Sequence, residues 1–267
     1  MIDTEQIDAI IVTASWKSID EIILPILKYN IPCMIEKPIA LTSNKIHKII
    51  DLIKLQDTHI QIGYNRRFYH YTKDIINYIN DNPIRSVIAE IPESINLTDI
   101  ELGQNLWIQN STHVLDMMKL FFGKYYIINK SLKKFLNNEY YDTFSLLLST
   151  ENGFPINIIS NWNAPSNFSL SIFFNDTVIK ISPLEYACLY KGFDIIEPTV
   201  NSPVRKFNPI IEKEFYCSKE FDIFKPGFLN QHRYFFDLMG DKEKADYNPT
   251  TLNDILFYSH FIESLYE

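Results

Sequence analysis

Residues 1–70 switch back and forth between two hydrophobic rhythms, and nothing else in the chain restricts its fold as strongly. Residues 9–12 are a short apolar run closed by Thr13-Ala14-Ser15. Ile19, Ile22, Ile23, Ile26 and Leu27 then recur at helical spacing. A second buried-type run, 32–35, is followed by a Thr42-Ser43-Asn44 capping cluster, which opens a helix through Ile46, Ile49, Ile50 and Ile53. A third run, 59–62, ends at Gly63. Short apolar strands alternating with helices of roughly 10–15 residues signal βαβ units and a parallel sheet. Three such strands make a βαβαβ unit, one half of a doubly wound dinucleotide (Rossmann) fold.

After residue 70 the pattern changes. The sequence predicts a helix over 71–80, ended by Asp81-Asn82-Pro83, a strand over 84–92, and polar irregular chain over 93–106. A helix over 112–122 stops at Gly123. Stretches 127–135, 141–149, 156–163, 169–174 and 177–181 alternate with period two. With turns at Glu151-Asn152-Gly153 and Asn175-Asp176, they predict an antiparallel meander. Helices near 229–239 and 250–265 close the chain. The expected class is α/β, with a partial Rossmann domain over 1–70 followed by an α+β domain over 71–267.

Composition excludes several roles. At 46% hydrophobic and 22% charged, the chain can bury a full core. Its net charge of −8, without an extended basic cluster, argues against a nucleic-acid partner. No apolar run approaches the ~18 residues that a membrane span needs. The acidic opening MIDTEQIDAI lacks an export pattern. Cys33, Cys188 and Cys217 form no CxxC, which suits buried thiols in a reducing cytoplasm. No ligand spacing suggests a metal.

Several clusters are candidates for chemistry. Glu36-Lys37-Pro38 ends the second strand, and ligands of parallel α/β sheets bind beyond such strand ends. Pro38 holds Lys37 extended, so its ammonium has a restricted reach; there it can polarise a carbonyl or steady an alkoxide as hydride leaves. A solvated ion pair at a strand end fits the same residues. Thr13-Ala14-Ser15 has small side chains for close approach and hydroxyls for a ribose or phosphate, or is a turn capped by Ser15. Gly63-Tyr64-Asn65-Arg66-Arg67-Phe68 suits a polyhydroxylated or anionic ligand, or one salt-bridging and one exposed arginine. In Asn110-Ser111-Thr112-His113-Val114-Leu115-Asp116, His113 falls in the first helical turn, whose positive end keeps an imidazole neutral. Asp116, three residues on, is expected to push the other way, and a capping or packing histidine fits equally. In Gln231-His232-Arg233, His232 is a candidate substrate contact.

Taken in order, Asp8 to Thr13, Glu36-Lys37-Pro38-Ile39-Ala40-Leu41-Thr42, Gly63 to Phe68, His113 to Asp116 and Phe121-Phe122-Gly123 resemble the glucose–fructose oxidoreductase/inositol dehydrogenase (Gfo/Idh/MocA) family. Lys225-Pro226-Gly227-Phe228 and the helix after Asn248-Pro249-Thr250 fit it as well. The resemblance implies an NAD(P) Rossmann domain followed by an α/β domain, whose open, mainly antiparallel sheet often forms a homo-oligomer interface. It implies oxidation or reduction of a hydroxyl or keto carbon of a sugar, nucleotide sugar or inositol. By the same likeness Lys37 is the active-site lysine and His113 the catalytic histidine. Thr13, Ala14, Ser15, Glu36, Lys37 and Pro38 would face NAD or NADP, and Tyr64, Asn65, Arg66 and Asn110 the substrate. Asn110 to His113 resembles members from surface-polysaccharide gene clusters.

Departures sharpen the expectation. The first glycine is Gly63, so the family's opening strand-GxGxxG-helix unit is absent from these residues. A truncation, a misplaced start or gene decay is expected, with weak cofactor binding. Gln109 and Ser18 replace an aspartate and a histidine common in the family. The competing expectation is a non-catalytic remnant that binds sugar or oligomerises.

Overall fold

The protein is described here by a computed structural model covering residues 6–56, 59–96, 98–218, 223–240 and 246–267, apart from the Asp20 side chain. The start of the acidic opening, through Glu5, lies outside the described residues. The chain opens with β1 (Ile10–Val12), α1 (Trp16–Leu27), β2 (Cys33–Glu36), α2 (Ser43–Ile53) and β3 (Ile60–Gly63). Next come α3 (Tyr71–Asp81), β4 (Ser86–Glu90), α4 (Ile100–Asn105) and α5 (Thr112–Phe122). Strands β5 (Tyr125–Lys133), β6 (Thr143–Thr150), β7 (Pro155–Asn161), β8 (Ser169–Phe173), β9 (Thr177–Ile181), β10 (Tyr186–Ile196) and β11 (Lys206–Tyr216) follow. Helices α6 (Phe228–Met239) and α7 (Leu252–Tyr266) end the chain.

Two compact units result. The first takes the described residues within Met1–Tyr69, Thr98–Phe122 and Glu220–Glu267, the second those within His70–Leu97 and Gly123–Lys219. Where a single division at residue 70 was expected, the chain returns to the first unit for α4 and α5 and again for α6 and α7.

In the first unit β1, β2 and β3 form a parallel sheet in that order, with Ile10 beside Cys33 and Glu36 beside Gly63. Cys33, Met34 and Ile35 are buried, as expected for a strand covered on both faces. The Thr42 side chain caps α2 by accepting from the Lys45 amide, and Ile46, Ile49 and Ile50 are its buried stripe. A capping box between Thr251 and Asp254 starts α7. Rings of Phe68, Tyr234 and Tyr247 pack together, tying α6 to the turn after β3. Cys33 is free and buried, and burial pushes its thiol up to about 11.

The second unit is an open eight-stranded sheet in the order β11-β10-β9-β8-β4-β7-β6-β5. The meander is interrupted once: β4 inserts between β7 and β8, parallel to β7 and antiparallel to β8. Alternation is strict along β7, where Ile156, Ile158 and Ser160 are buried while Asn157, Ile159 and Asn161 are exposed. Tyr78 of α3 packs edge-on against Phe174 and bonds the Thr177 hydroxyl. Two elements here depart from the sequence expectation. Strands β10 and β11 form a long hairpin whose outer part is exposed on both faces, so no period-two signal marks it. Helix α4, in the first unit, lies in a stretch expected to be irregular and is capped by Asp99 onto the Leu102 amide. Among the described residues, no helix is long and apolar enough to cross a membrane.

Candidate active site

The first unit gathers its candidate residues at the carboxyl ends of β2 and β3. Glu36 is the last residue of β2, directly beside Gly63 in the ladder. A Cβ at position 63 would lie 2.8 Å from the Glu36 carboxylate carbon, so the glycine makes room for that side chain. Lys37 follows, and its peptide bond to Pro38 is cis. The Lys37 Nζ donates to the Gln109 carbonyl at 2.7 Å. The same carbonyl accepts the Thr112 hydroxyl at 2.7 Å. One backbone oxygen therefore joins the lysine to the first turn of α5, which carries His113.

His113 is buried, and the buried Tyr64 ring meets it edge-on, 5.7 Å between centroids. Its amide donates to the Asn110 carbonyl at 3.0 Å, while the Asn110 side chain is exposed. Among the described atoms His113 Nδ1 has no hydrogen-bond partner. Asn65 is buried and donates Nδ2 to the Pro226 carbonyl at 2.7 Å, and Arg66 beside it is half-buried. Lys225 lies over the Phe228 ring, 4.8 Å from its centre, and that ring stacks on His232. Nδ1 of His232 pairs with the Phe228 carbonyl at 2.7 Å. Beside this cluster is an apolar pocket lined by Pro38, Leu41, Tyr64, Ile108, Thr112 and Tyr258 among others.

Burial holds the His113 imidazole well below the usual histidine range, and the positive charges of Arg66, Lys37 and Lys225 lower it further. Burial pushes the Glu36 carboxyl up, against the pull of Lys37, Lys225 and His232. His113 is thus neutral at pH 7. Asp116 plays no part in this, contrary to the sequence expectation. It is fully buried, and its Oδ1 accepts from Arg67 Nε at 2.9 Å, the Thr250 hydroxyl at 2.8 Å and the Tyr258 hydroxyl at 2.7 Å. Arg67 is equally buried and also donates to the Asn248 carbonyl at 3.2 Å, so it is committed to the interior of the unit.

A histidine that stays neutral when folded but protonates when unfolded lowers stability as pH falls below about 6.5, because the unfolded chain then binds the extra proton. The slope is at most about 1.4 kcal/mol per pH unit. His113→Gln removes this contribution. The stability difference between wild type and variant in urea titrations should therefore shift against wild type by about 1 kcal/mol from pH ~7 to ~5.5. A difference independent of pH would contradict the neutral histidine.

Thr13, Ala14 and Ser15 lie between β1 and α1, at the strand end neighbouring β2. Thr13 is exposed, and Ser15 takes the N-cap position of α1 without a side-chain capping bond; its hydroxyl meets that of Ser18 at 3.1 Å. The structure thus brings Glu36, Lys37, Tyr64, Asn65, Arg66, His113 and His232 into one region of the first unit. Sequence reasoning did not place Lys225 or the Gln109 carbonyl among the site groups. Lys225 could have been found from Lys225-Pro226-Gly227-Phe228, whereas a backbone acceptor leaves no sequence signal. Among the described residues, no three His, Cys, Asp or Glu side chains group as metal ligands.

No family model matches the chain, and no curated protein matches it by sequence. Solved structures do match over nearly its whole length. An aldose-aldose oxidoreductase from Caulobacter crescentus, solved with glycerol, shares 16% identity with a TM-score of 0.75, covering 99% of this chain and 78% of that one. A UDP-N-acetylglucosamine 3-dehydrogenase from Acidithiobacillus ferrooxidans shares 13% with a TM-score of 0.71, covering 99% and 80%. An oxidoreductase from Agrobacterium radiobacter, in complex with NAD+, L-tartaric acid and magnesium, shares 11% with a TM-score of 0.68, covering 100% and 79%. At such identities the likeness is one of fold, and the fold of this chain is the fold of these oxidoreductases.

Proposed function

We propose that the chain is an NAD(P)-dependent oxidoreductase acting on a hydroxyl or keto carbon of a sugar, nucleotide sugar or inositol-like substrate. The observation that carries this reading is the linkage of Lys37 to the helix of a neutral, buried His113 through the Gln109 carbonyl. Fold neighbours named as sugar oxidoreductases support it. Thr13, Ala14, Ser15, Glu36, Lys37 and Pro38 would hold the nicotinamide half of NAD or NADP. The start of α1 fits such a ligand, since Ser15 makes no side-chain capping bond there. When bound, that group supplies or takes up a hydride.

The chain's own residues then have distinct tasks. His113 takes the proton of the substrate hydroxyl, which a neutral imidazole can do near pH 7. Lys37 steadies the oxygen as negative charge develops on it. Tyr64, Asn65, Arg66, Asn110 and His232 position the substrate. Asn65 is fixed for this by its bond to Pro226. A cytoplasmic role in surface-polysaccharide synthesis belongs to the same proposal and rests on the Asn110 to His113 sequence.

The test is hydride transfer from a panel of sugars to NAD+ and NADP+. Lys37→Met and His113→Asn should each lower turnover by roughly 10²–10⁴-fold with unchanged circular dichroism. Near-wild-type rates in both would sink the assignment. A second reading, a non-catalytic oligomerisation module, is favoured by exposed apolar side chains. Phe193, Ile195, Phe207 and Ile211 lie on the hairpin, and Ile88, Leu147 and Ile159 lie along the sheet. A homo-oligomer in light scattering with no binding of either nucleotide would select it.

A further inference from the structure

Between α2, α5 and α7 the first unit keeps a small cavity that the chemistry assigned to Lys37 and His113 does not use. Its half-buried walls are Pro38, Leu41 and Ile108. Pro38 follows Lys37 and Ile108 precedes Gln109, so the more open side of the cavity borders the 2.7 Å bond from Lys37 to the Gln109 carbonyl. Two of its buried walls are Tyr64, which meets the His113 ring edge-on, and Thr112, the residue before His113. The cavity therefore lies next to both groups assigned to the substrate oxygen.

Size and lining select what can enter. The cavity volume is about 20 Å³, room for one methyl-sized group but not for a ring or a hydroxymethyl. Ile46, Ile255 and Ile262 line it with carbon. Its hydroxyl-bearing walls have their protons placed elsewhere. Thr112 donates to the Gln109 carbonyl at 2.7 Å, Tyr258 to Asp116 at 2.7 Å and Ser259 to Glu263 at 3.5 Å. A polar occupant would meet no spare proton on these three side chains and would lose its water on entry. A methyl group loses no hydrogen bond there and gains contact with carbon.

We propose that this cavity is a subsite for a methyl branch of the substrate, carried near the reacting carbon as the C6 methyl of a 6-deoxy sugar or as the methyl of an acetamido group. The proposal rests on the sugar-oxidoreductase reading and narrows its substrate class. In an apolar pocket one such carbon is worth about 10–200-fold between otherwise equal substrates.

Two sugar pairs that differ only at that group test it: D-fucose against D-galactose, and N-acetylglucosamine against N-formylglucosamine. For each, equilibrium binding to the full chain and hydride transfer to NAD+ and NADP+ are measured. One methyl sugar should bind, and be turned over in kcat/KM, at least about tenfold better than its partner. Which pair shows the margin distinguishes a deoxy methyl from an acetamido methyl. Ala40→Val fills the cavity from its wall and should remove most of the margin. Leu41→Ala truncates a half-buried wall, widens the cavity and should also narrow the margin; it carries the test if Ala40→Val does not fold. Equal affinities within both pairs overturn the proposal, as does a margin unchanged in the folded variants. A methyl preference in binding with no turnover of any sugar sinks the oxidoreductase reading and leaves the subsite in place. Turnover without a methyl preference does the reverse. If none of the four sugars binds, the subsite itself is overturned.

Discussion

Asp116→Ala should destabilise the first unit by about 3–5 kcal/mol, one of the largest effects expected of a single substitution in this chain. The cause is the charge left behind. Arg67 is 3% exposed, and the Asp116 carboxylate 2.9 Å away helps keep it charged. Burial works against the charge on Asp116, and Arg67, Tyr258 and Thr250 offset this by bonding to it. Removing the acid takes away the main carboxylate partner of Arg67 in a site with little water, leaving Asp254 at 3.4 Å from Nη2 as a second, more exposed one. Urea titration followed by tryptophan fluorescence measures the loss, since Trp107 is buried in the same unit. The double variant Arg67→Met with Asp116→Leu should recover most of it, because both buried charges are replaced and Asp254 keeps Lys119, 3.5 Å away. A small loss in Asp116→Ala, or no recovery in the double variant, would mean that the pair is not a buried ionic contact.

The second large effect is expected at Gly227. Its backbone φ is +78°, a region that alanine enters only at a cost of roughly 1–2 kcal/mol. The added carbon would also sit 2.0 Å from the Asn65 carbonyl oxygen, so one of the two segments must move. Gly227→Ala should therefore lose about 2–4 kcal/mol in all. Gly153 separates the two causes. It has φ +85° but nothing within 4 Å of an added Cβ, so Gly153→Ala should show the conformational part alone. Similar losses in the two variants would contradict the close approach at Gly227. Because the Pro226 carbonyl anchors the Asn65 amide, Gly227→Ala should also weaken ligand binding when assayed well below its melting temperature.

The parallel sheet of β1, β2 and β3 was legible because each strand is a short apolar run between helical stripes. The hairpin of β10 and β11 was not. Phe193, Ile195 and Ile196 are exposed along with their polar neighbours, so burial imposes no alternation on the letters. Helix α4 escaped notice because it is short and polar, contains Gly103 and depends on the Asp99 cap. At the site, Lys37 and His113 stood out because their neighbours form recognisable strings. Asp116 misled because helical spacing shows which residues share a side of a helix, not what arrives from elsewhere. Arg67 comes from the turn after β3, and Thr250 and Tyr258 from just before and within α7, to claim its carboxylate. Lys225 lay far along the chain from the residues it joins, and only the fold brings it to Asn65.

The bond between Lys37 and Gln109 has a further consequence for genetics. Its acceptor is a main-chain carbonyl, which every amino acid possesses. Truncating the Gln109 side chain leaves the oxygen that receives Lys37 and Thr112 where it is. Alanine scanning would thus report position 109 as silent while the contact persists. Selection can alter the letter at this position freely so long as the loop keeps its course. The anchor of the lysine is inherited as shape, not as spelling.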